Sequence, residues 1–151
     1  MEKEPLLISA CLLGRPCRYD GASKPCAAVR ALEARYRLIP ICPEVEGGLP
    51  TPRPASELQA DGSVKNCAGR DVTAEYRRGA ALALQTAQGN GCRVALLKEK
   101  SPSCGAHGVY DGSFSGRLRD GEGVTVRLLR EHGIRVLGES ELACLLDEEE
   151  Q

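Results

Sequence analysis

Short apolar runs free of charge alternate along this chain with longer stretches of helical periodicity. Leu6-Leu7-Ile8-Ser9-Ala10-Cys11 reads as a buried strand, too short for a buried helix and uninterrupted by a charged residue. Ala27 to Tyr36 places Val29, Leu32 and Tyr36 at helical spacing. Leu38-Ile39-Pro40-Ile41-Cys42 predicts a second strand, in which Pro40 argues against a central position because it cannot donate to a ladder. Residues 43–56, rich in proline and glycine, predict an irregular loop, and Asp61-Gly62 between short runs predicts a hairpin. Asp71 is placed to cap a helix from Thr73 to Gln88, stopped by Gly89-Asn90-Gly91. Arg93 to Leu97 predicts a third strand, followed by a loop at 101–105. Gly123 to His132 predicts a helix ended by Gly133, and Ile134-Arg135-Val136-Leu137 a fourth strand. Ser140 is expected to cap a last helix that runs from Glu141 into an acidic tail at about 147–151.

Strands alternating with helices imply an α/β fold: a single-domain, three-layer sandwich over residues 1–151 whose sheet is mainly parallel. Such sheets bind ligands beyond the carboxyl ends of their strands. That rule sorts the cysteines. Cys11 ends the first strand, Cys42 ends the second, and Cys104 follows the third, so all three are expected at one edge of the sheet. Cys92 precedes the third strand and falls at the opposite edge. Cys144 is expected to pack in the core beside Leu142, Leu145 and Leu146. Cys67 lies in the hairpin, and Cys17 and Cys26 flank the first loop, from which either could join the site.

Composition narrows the function. The 151 residues hold 20 Lys and Arg against 21 Asp and Glu, so no broad field draws the chain toward nucleic acid. Four Tyr, one Phe and no Trp supply no stacking platform for single strands. No apolar run approaches the ~20 residues that span a bilayer. The eight cysteines amount to about 5%, below the ~8–10% of disulfide-built miniature domains. Ile8-Ser9-Ala10-Cys11 is similar to a lipoprotein cleavage box, but Met1-Glu2-Lys3-Glu4 is no basic leader and only Leu6-Leu7-Ile8 stand where ~7–15 apolar residues are required. The expected location is the cytoplasm, where thiols stay reduced and clustered cysteines point to metal or catalysis.

Thiolates gathered from three strand ends suit a soft metal. Zinc with an open position fits, although catalytic zinc usually recruits His, and neither His107 nor His132 has a partner at ligand spacing. An iron–sulfur cluster fits too, with three cysteines leaving one iron open. Buried thiols that merely pack are the third alternative. The surrounding loops carry further chemistry: Glu44 after Cys42-Pro43, the hydroxyls of Ser101 and Ser103 beside Cys104, and the cations Arg18, Arg53, Lys98 and Lys100. Tyr19-Asp20-Gly21 and Tyr110-Asp111-Gly112 read as turns.

Ser9-Ala10-Cys11-Leu12-Leu13-Gly14, Arg18-Tyr19-Asp20-Gly21, Cys42-Pro43-Glu44 and Gly47-Gly48-Leu49-Pro50-Thr51-Pro52-Arg53 resemble successive motifs of the thiouracil desulfurase family. So do Leu97-Lys98, Ser101-Pro102-Ser103-Cys104-Gly105, Tyr110-Asp111-Gly112-Ser113-Phe114 and Gly121-Glu122-Gly123-Val124-Thr125. The likeness runs in order over residues 6 to 140. It implies a 4Fe–4S cluster held by Cys11, Cys42 and Cys104 with one iron open to substrate sulfur, and an acid/base pair formed by Glu44 and Ser101. The implied reaction is a non-redox hydrolysis of thiouracil to uracil and sulfide, acting on a small thiolated pyrimidine. Ser103, Lys98 and Arg53 are the expected substrate contacts. Two other readings compete: desulfuration of a thiolated nucleoside, nucleotide or tRNA base, and a non-catalytic metal or redox-sensing module.

Overall fold

Every residue from Leu6 to Leu12 is buried, and the reason is that the first strand is covered on both faces. The computed structural model describes residues 3–14 and 29–148. Cys17, Arg18, the Tyr19-Asp20-Gly21 turn, Cys26, the start of the first expected helix and the end of the acidic tail lie outside the described residues. Four strands, β1 (Glu4–Ser9), β2 (Tyr36–Ile41), β5 (Val94–Leu97) and β8 (Arg135–Gly138), form one parallel sheet in the order β2-β1-β5-β8. Period-2 alternation divides their side chains between two cores. Leu7, Ile41, Ala95, Leu97 and Val136 face α3 (Thr73–Gly89) and α4 (Val124–Glu131). Leu6, Ile8, Val94, Leu96 and Leu137 face α1 (Val29–Glu33) and α5 (Leu142–Glu148). The result is the expected three-layer sandwich.

Pro40 sits in β2 opposite Ile8, and β2 is an edge strand, so the missing N–H costs no ladder bond on a second neighbour. The long helix α3 begins at Thr73 as expected, but its N-cap is Val72 rather than Asp71, which stands one residue further out and accepts the Thr73 N–H on Oδ1 at 2.8 Å. Its inward face is Tyr76 followed by Gly79, Ala80, Ala83 and Ala87, and these last four are small enough to let neighbouring backbone come close. Gly91 at φ +71° turns the chain out of it, and the Cys92 N–H reaches back to the Ala87 carbonyl at 2.8 Å. The Asp61-Gly62 hairpin is present, joining β3 (Ser56–Leu58) to β4 (Val64–Asn66).

Several boundaries differ from the sequence reading. The first strand ends at Ser9, and Ala10–Leu13 forms a 3-10 turn. Tyr36 opens β2 instead of closing a helix. Residues 43–56 are not wholly irregular: Pro43–Glu46 forms the short helix α2, with Pro43 in its first turn, where a missing N–H costs no hydrogen bond. Residues 108–120 hold a second hairpin, β6 (Gly108–Tyr110) with β7 (Leu118–Asp120), strands too short for alternation to announce. Ser140 does not cap the last helix; Glu139–Glu141 is a 3-10 turn, and the Ser140 hydroxyl donates to Glu99 Oε2 at 2.5 Å. Cys144 is exposed, because Leu142 and Leu145 take the inward positions on α5 and leave Cys144 on the other face.

Candidate active site

From β1 the chain steps to β2 on one side and later returns to β5 on the other, so strand order reverses at β1. The crevice beyond the strands' carboxyl ends is where such a sheet binds ligand. Cys11 lies in the 3-10 turn after β1, Cys42 is the N-cap of α2 after β2, and Cys104 is in the loop after β5. All three line one cavity of about 510 Å³. Cys11 and Cys104 are buried and Cys42 is half-buried, whereas Cys92 is buried at the opposite end of β5 and Cys67 is exposed.

The loop bearing Cys104 is fixed by two devices. The Ser101 hydroxyl accepts the backbone N–H groups of Ser103 and Cys104, each at 3.1 Å. The loop's carbonyls then serve the start of α4, whose first-turn N–H groups have no partner within the helix. Pro102 O takes Val124 N–H at 2.9 Å, Ser103 O takes Thr125 N–H at 3.0 Å, and Gly105 O takes Gly123 N–H at 2.9 Å. So close an approach requires glycine: a Cβ on Gly123 would lie 2.3 Å from the Ser103 carbonyl oxygen. The Gly121–Thr125 motif is thus the seat of the Cys104 loop. The α2 segment is held by a similar approach. A Cβ on Gly79 of α3 would stand 1.8 Å from the Pro43 carbonyl oxygen, and one on Gly47 2.0 Å from that of Glu75.

Glu44, in the first turn of α2, lines the cavity between two partners. Arg53 donates Nε at 3.1 Å and Nη2 at 2.5 Å to Oε2, while the Ser101 hydroxyl donates to Oε1 at 3.3 Å. Ser101 is therefore both a turn hydroxyl and a neighbour of Glu44. Burial pulls the Arg53 guanidinium's pKa down, but the charge and hydrogen bond of Glu44, with Cys42 adding, leave it above its ordinary value. Arg53, expected to touch substrate, directs its remaining nitrogen to Pro50 O and Thr51 Oγ1, both at 3.1 Å. Lys98 lines the cavity and pairs through Nζ with Glu139 at 2.9 Å. Ser103 does not line it. Its side chain is fully buried and bonds Thr125 Oγ1 at 2.7 Å, so the expected substrate contact is a structural one.

Three lining residues escaped the sequence reading. Ser9 accepts the Lys98 N–H at 2.9 Å and bonds the Cys104 thiol. Tyr76 is buried on α3, and burial together with the nearby Glu44 charge pushes its phenol far up. Glu57 on β3 is a buried carboxylate whose Oε1 accepts the N–H groups of Gly112 and Phe114 at 3.0 and 3.1 Å, tying the β6–β7 loop to the cavity wall. A buried acid in a three-residue strand leaves no periodic signal.

The donor set has the chemistry of a soft-metal site. Burial, then Glu44, with Cys42 and Cys11 adding, pushes the Cys104 thiol well above its ordinary value against the Ser9 hydrogen bond. Ionising such thiols together beside a carboxylate needs a cationic group among them. Among the described residues no three His, Cys, Asp or Glu converge closely enough to share one ion. A cluster does not demand that convergence, since each thiolate takes its own iron.

The 2-thiouracil desulfurase family profile matches residues 6–141. The chain belongs to that family. The match to the 2-thiouracil desulfurases spans all three lining cysteines, Glu44 and Ser101. An uncharacterized Bacillus subtilis (strain 168) protein, YbbK, is 38% identical over 150 residues, covering 93% of this chain and 99% of its own. Among solved structures, a [4Fe-4S]-dependent thiouracil desulfidase, TudS, is 51% identical and superposes with a TM-score of 0.88, covering 96% of this chain and 99% of that one. The chain and that desulfidase share one fold over nearly their whole length.

Proposed function

We propose that this protein removes sulfur from a thiouracil, giving uracil and sulfide, and that Cys11, Cys42 and Cys104 hold the 4Fe–4S cluster on which the activity depends. The observation that carries this reading is the meeting, in one cavity at the reversal of strand order, of the three cysteines with the Glu44–Ser101 pair. At about 510 Å³ the cavity lies within the ~300–1,000 Å³ of small-molecule sites and suits a single thiolated pyrimidine. No described helix is long and apolar enough to cross a membrane.

The reaction exchanges C=S for C=O, consuming one water and releasing one hydrogen sulfide, and needs neither oxidant nor reductant. When bound, the cluster supplies an open iron that acts as a Lewis acid toward the thiocarbonyl sulfur. The protein's own groups manage water and protons. Glu44 Oε1 takes the proton of the attacking water, and the Ser101 hydroxyl, 3.3 Å away, steadies or relays it toward the departing sulfur. Two backbone N–H groups donated to Ser101 Oγ fix that hydroxyl, so its own hydrogen points to Glu44. Lys98, at the cavity wall, meets the pyrimidine oxygen.

General acid–base groups contribute ~10²–10⁴-fold. Glu44→Gln is therefore expected to keep its iron and acid-labile sulfide while desulfurating 4-thiouracil anaerobically at a rate lower by about that factor, and Ser101→Ala more mildly. The wild-type rate in Glu44→Gln with a full complement of iron and sulfide contradicts the assignment.

A further inference from the structure

The sequence suggests that Arg53 binds substrate, and its place in the fold argues for a different task. Arg53 is 8% exposed although it lines the cavity, and each of its three nitrogens has a partner within the protein. Two of the three converge on a single atom, Glu44 Oε2. The third is anchored to Pro50 O and Thr51 Oγ1, in the same proline-rich stretch that carries Arg53. The fork is thus aimed by its own loop before it reaches the carboxylate. Guanidinium geometry makes the result specific: a planar fork whose two fixed N–H directions meet on one oxygen fixes where that oxygen lies, which the freely rotating donors of a lysine ammonium do not.

The two oxygens of Glu44 consequently differ. Oε2 is occupied by Arg53, whereas Oε1, among the described residues, receives the longer bond from Ser101 at 3.3 Å. We propose that Arg53 is a positioning residue that commits Oε2 of Glu44 and so presents Oε1, and Oε1 alone, to Ser101 and the attacking water. This rests on the reading of Glu44 as the proton-handling group. Without the fork, the α2 carboxylate can rotate about its last bonds, and either oxygen or neither faces the reacting water. The geometry also helps explain why a fully charged side chain is buried at this wall of the cavity: it is ion-paired at 2.5 Å with the group it orients.

A positioning role and a substrate-binding role predict opposite kinetics. Loss of a substrate contact raises KM; loss of orientation lowers kcat, because misplacement by about 1 Å costs on the order of 10²-fold. The test is a double-mutant cycle of Arg53→Gln and Glu44→Gln, with iron and acid-labile sulfide verified in every protein and 4-thiouracil turnover followed anaerobically. Wild type against Glu44→Gln first decides whether Glu44 handles the proton at all. If it does, Arg53→Gln is expected to lower kcat roughly 10- to 100-fold with KM changed less than about threefold. In the Glu44→Gln background the same substitution should have little further effect on kcat, since the group it orients is already disabled. Arg53→Lys, which keeps the charge but loses the fork, should fall between wild type and Arg53→Gln, and it stands in for Arg53→Gln if that variant does not fold. The cycle is read a second time on cluster-free protein by thermal unfolding: Arg53→Gln should lower Tm less in the Glu44→Gln background, because no half-buried carboxylate is then left without its ion pair. A raised KM at unchanged kcat, or an equal loss of kcat in both backgrounds, overturns the proposal while leaving the reading of Glu44 intact.

Discussion

Gly79→Ala adds one methyl group at the back of α2 and is expected to act on Glu44 without touching it. The added Cβ would lie 1.8 Å from the Pro43 carbonyl oxygen and 2.6 Å from its carbon, where real Cβ contacts start at about 3.0 Å, so the two helices must part by about 1.2 Å. Pro43 opens α2, its carbonyl accepts the Gly47 N–H at 2.8 Å, and Glu44 is the next residue, so the carboxylate moves with it. A shift of that size is enough to break the 3.3 Å bond to Ser101. Misplacement of about 1 Å in a reacting constellation costs on the order of 10²-fold, close to 3 kcal/mol of barrier. Stability changes less: overpacking costs about 1–3 kcal/mol, offset by up to ~1 kcal/mol from the better helix propensity of alanine. Gly89→Ala is the control, in the same helix with nothing within 4 Å of the new Cβ, and should retain full activity. The assay is anaerobic 4-thiouracil turnover on protein of verified iron content, with thermal melts of both variants. Wild-type turnover in Gly79→Ala would refute the claim that this backbone contact sets the position of Glu44.

Two further outcomes follow from the same geometry. Ser103→Ala leaves the buried Thr125 hydroxyl without its 2.7 Å partner and should destabilise by about 1–3 kcal/mol with KM for thiouracil unchanged; a raised KM at unchanged Tm would restore Ser103 as a substrate contact. Glu141 is held below its ordinary 4.5: burial pushes it up, but the Gly138 N–H and the His107 side chain outweigh that. Its stabilisation is therefore present above pH 4.5 and lost as pH falls through the lower folded value, so the acid limb of the stability curve should flatten in Glu141→Gln and stay unchanged if the pair contributes nothing.

The alternation of apolar runs and helical periods made the layered sheet readable, and with it the edge at which Cys11, Cys42 and Cys104 meet. Strand position alone sufficed, because a parallel sheet puts every strand's carboxyl end on the same side. What stayed hidden depends on contacts distant in sequence. Cys144 looked like a core residue in a helix full of leucine, yet three-residue spacing gives Leu142 and Leu145 the inward face. Ser103 and Ser101 are two residues apart in the same motif, but one turns into the core toward Thr125 and the other toward Glu44. Local pattern cannot separate them, because the partner that decides each lies 22 or 57 positions away. The β6–β7 hairpin was hidden by brevity, and Glu57 by its place in a three-residue strand. Pro40 is the reverse case: its objection to a central strand was correct, and β2 is at the edge.

Iron and acid-labile sulfide measured on anaerobically reconstituted protein, wild type beside single Cys→Ala variants, test the central claim most directly. The account predicts about four iron and four sulfide per wild-type chain. It predicts loss of both, and of the ~400 nm absorbance, in Cys11→Ala, Cys42→Ala and Cys104→Ala, with full retention in Cys92→Ala and Cys144→Ala. One zinc and no sulfide in the wild type, or a full cluster in Cys104→Ala, contradicts it.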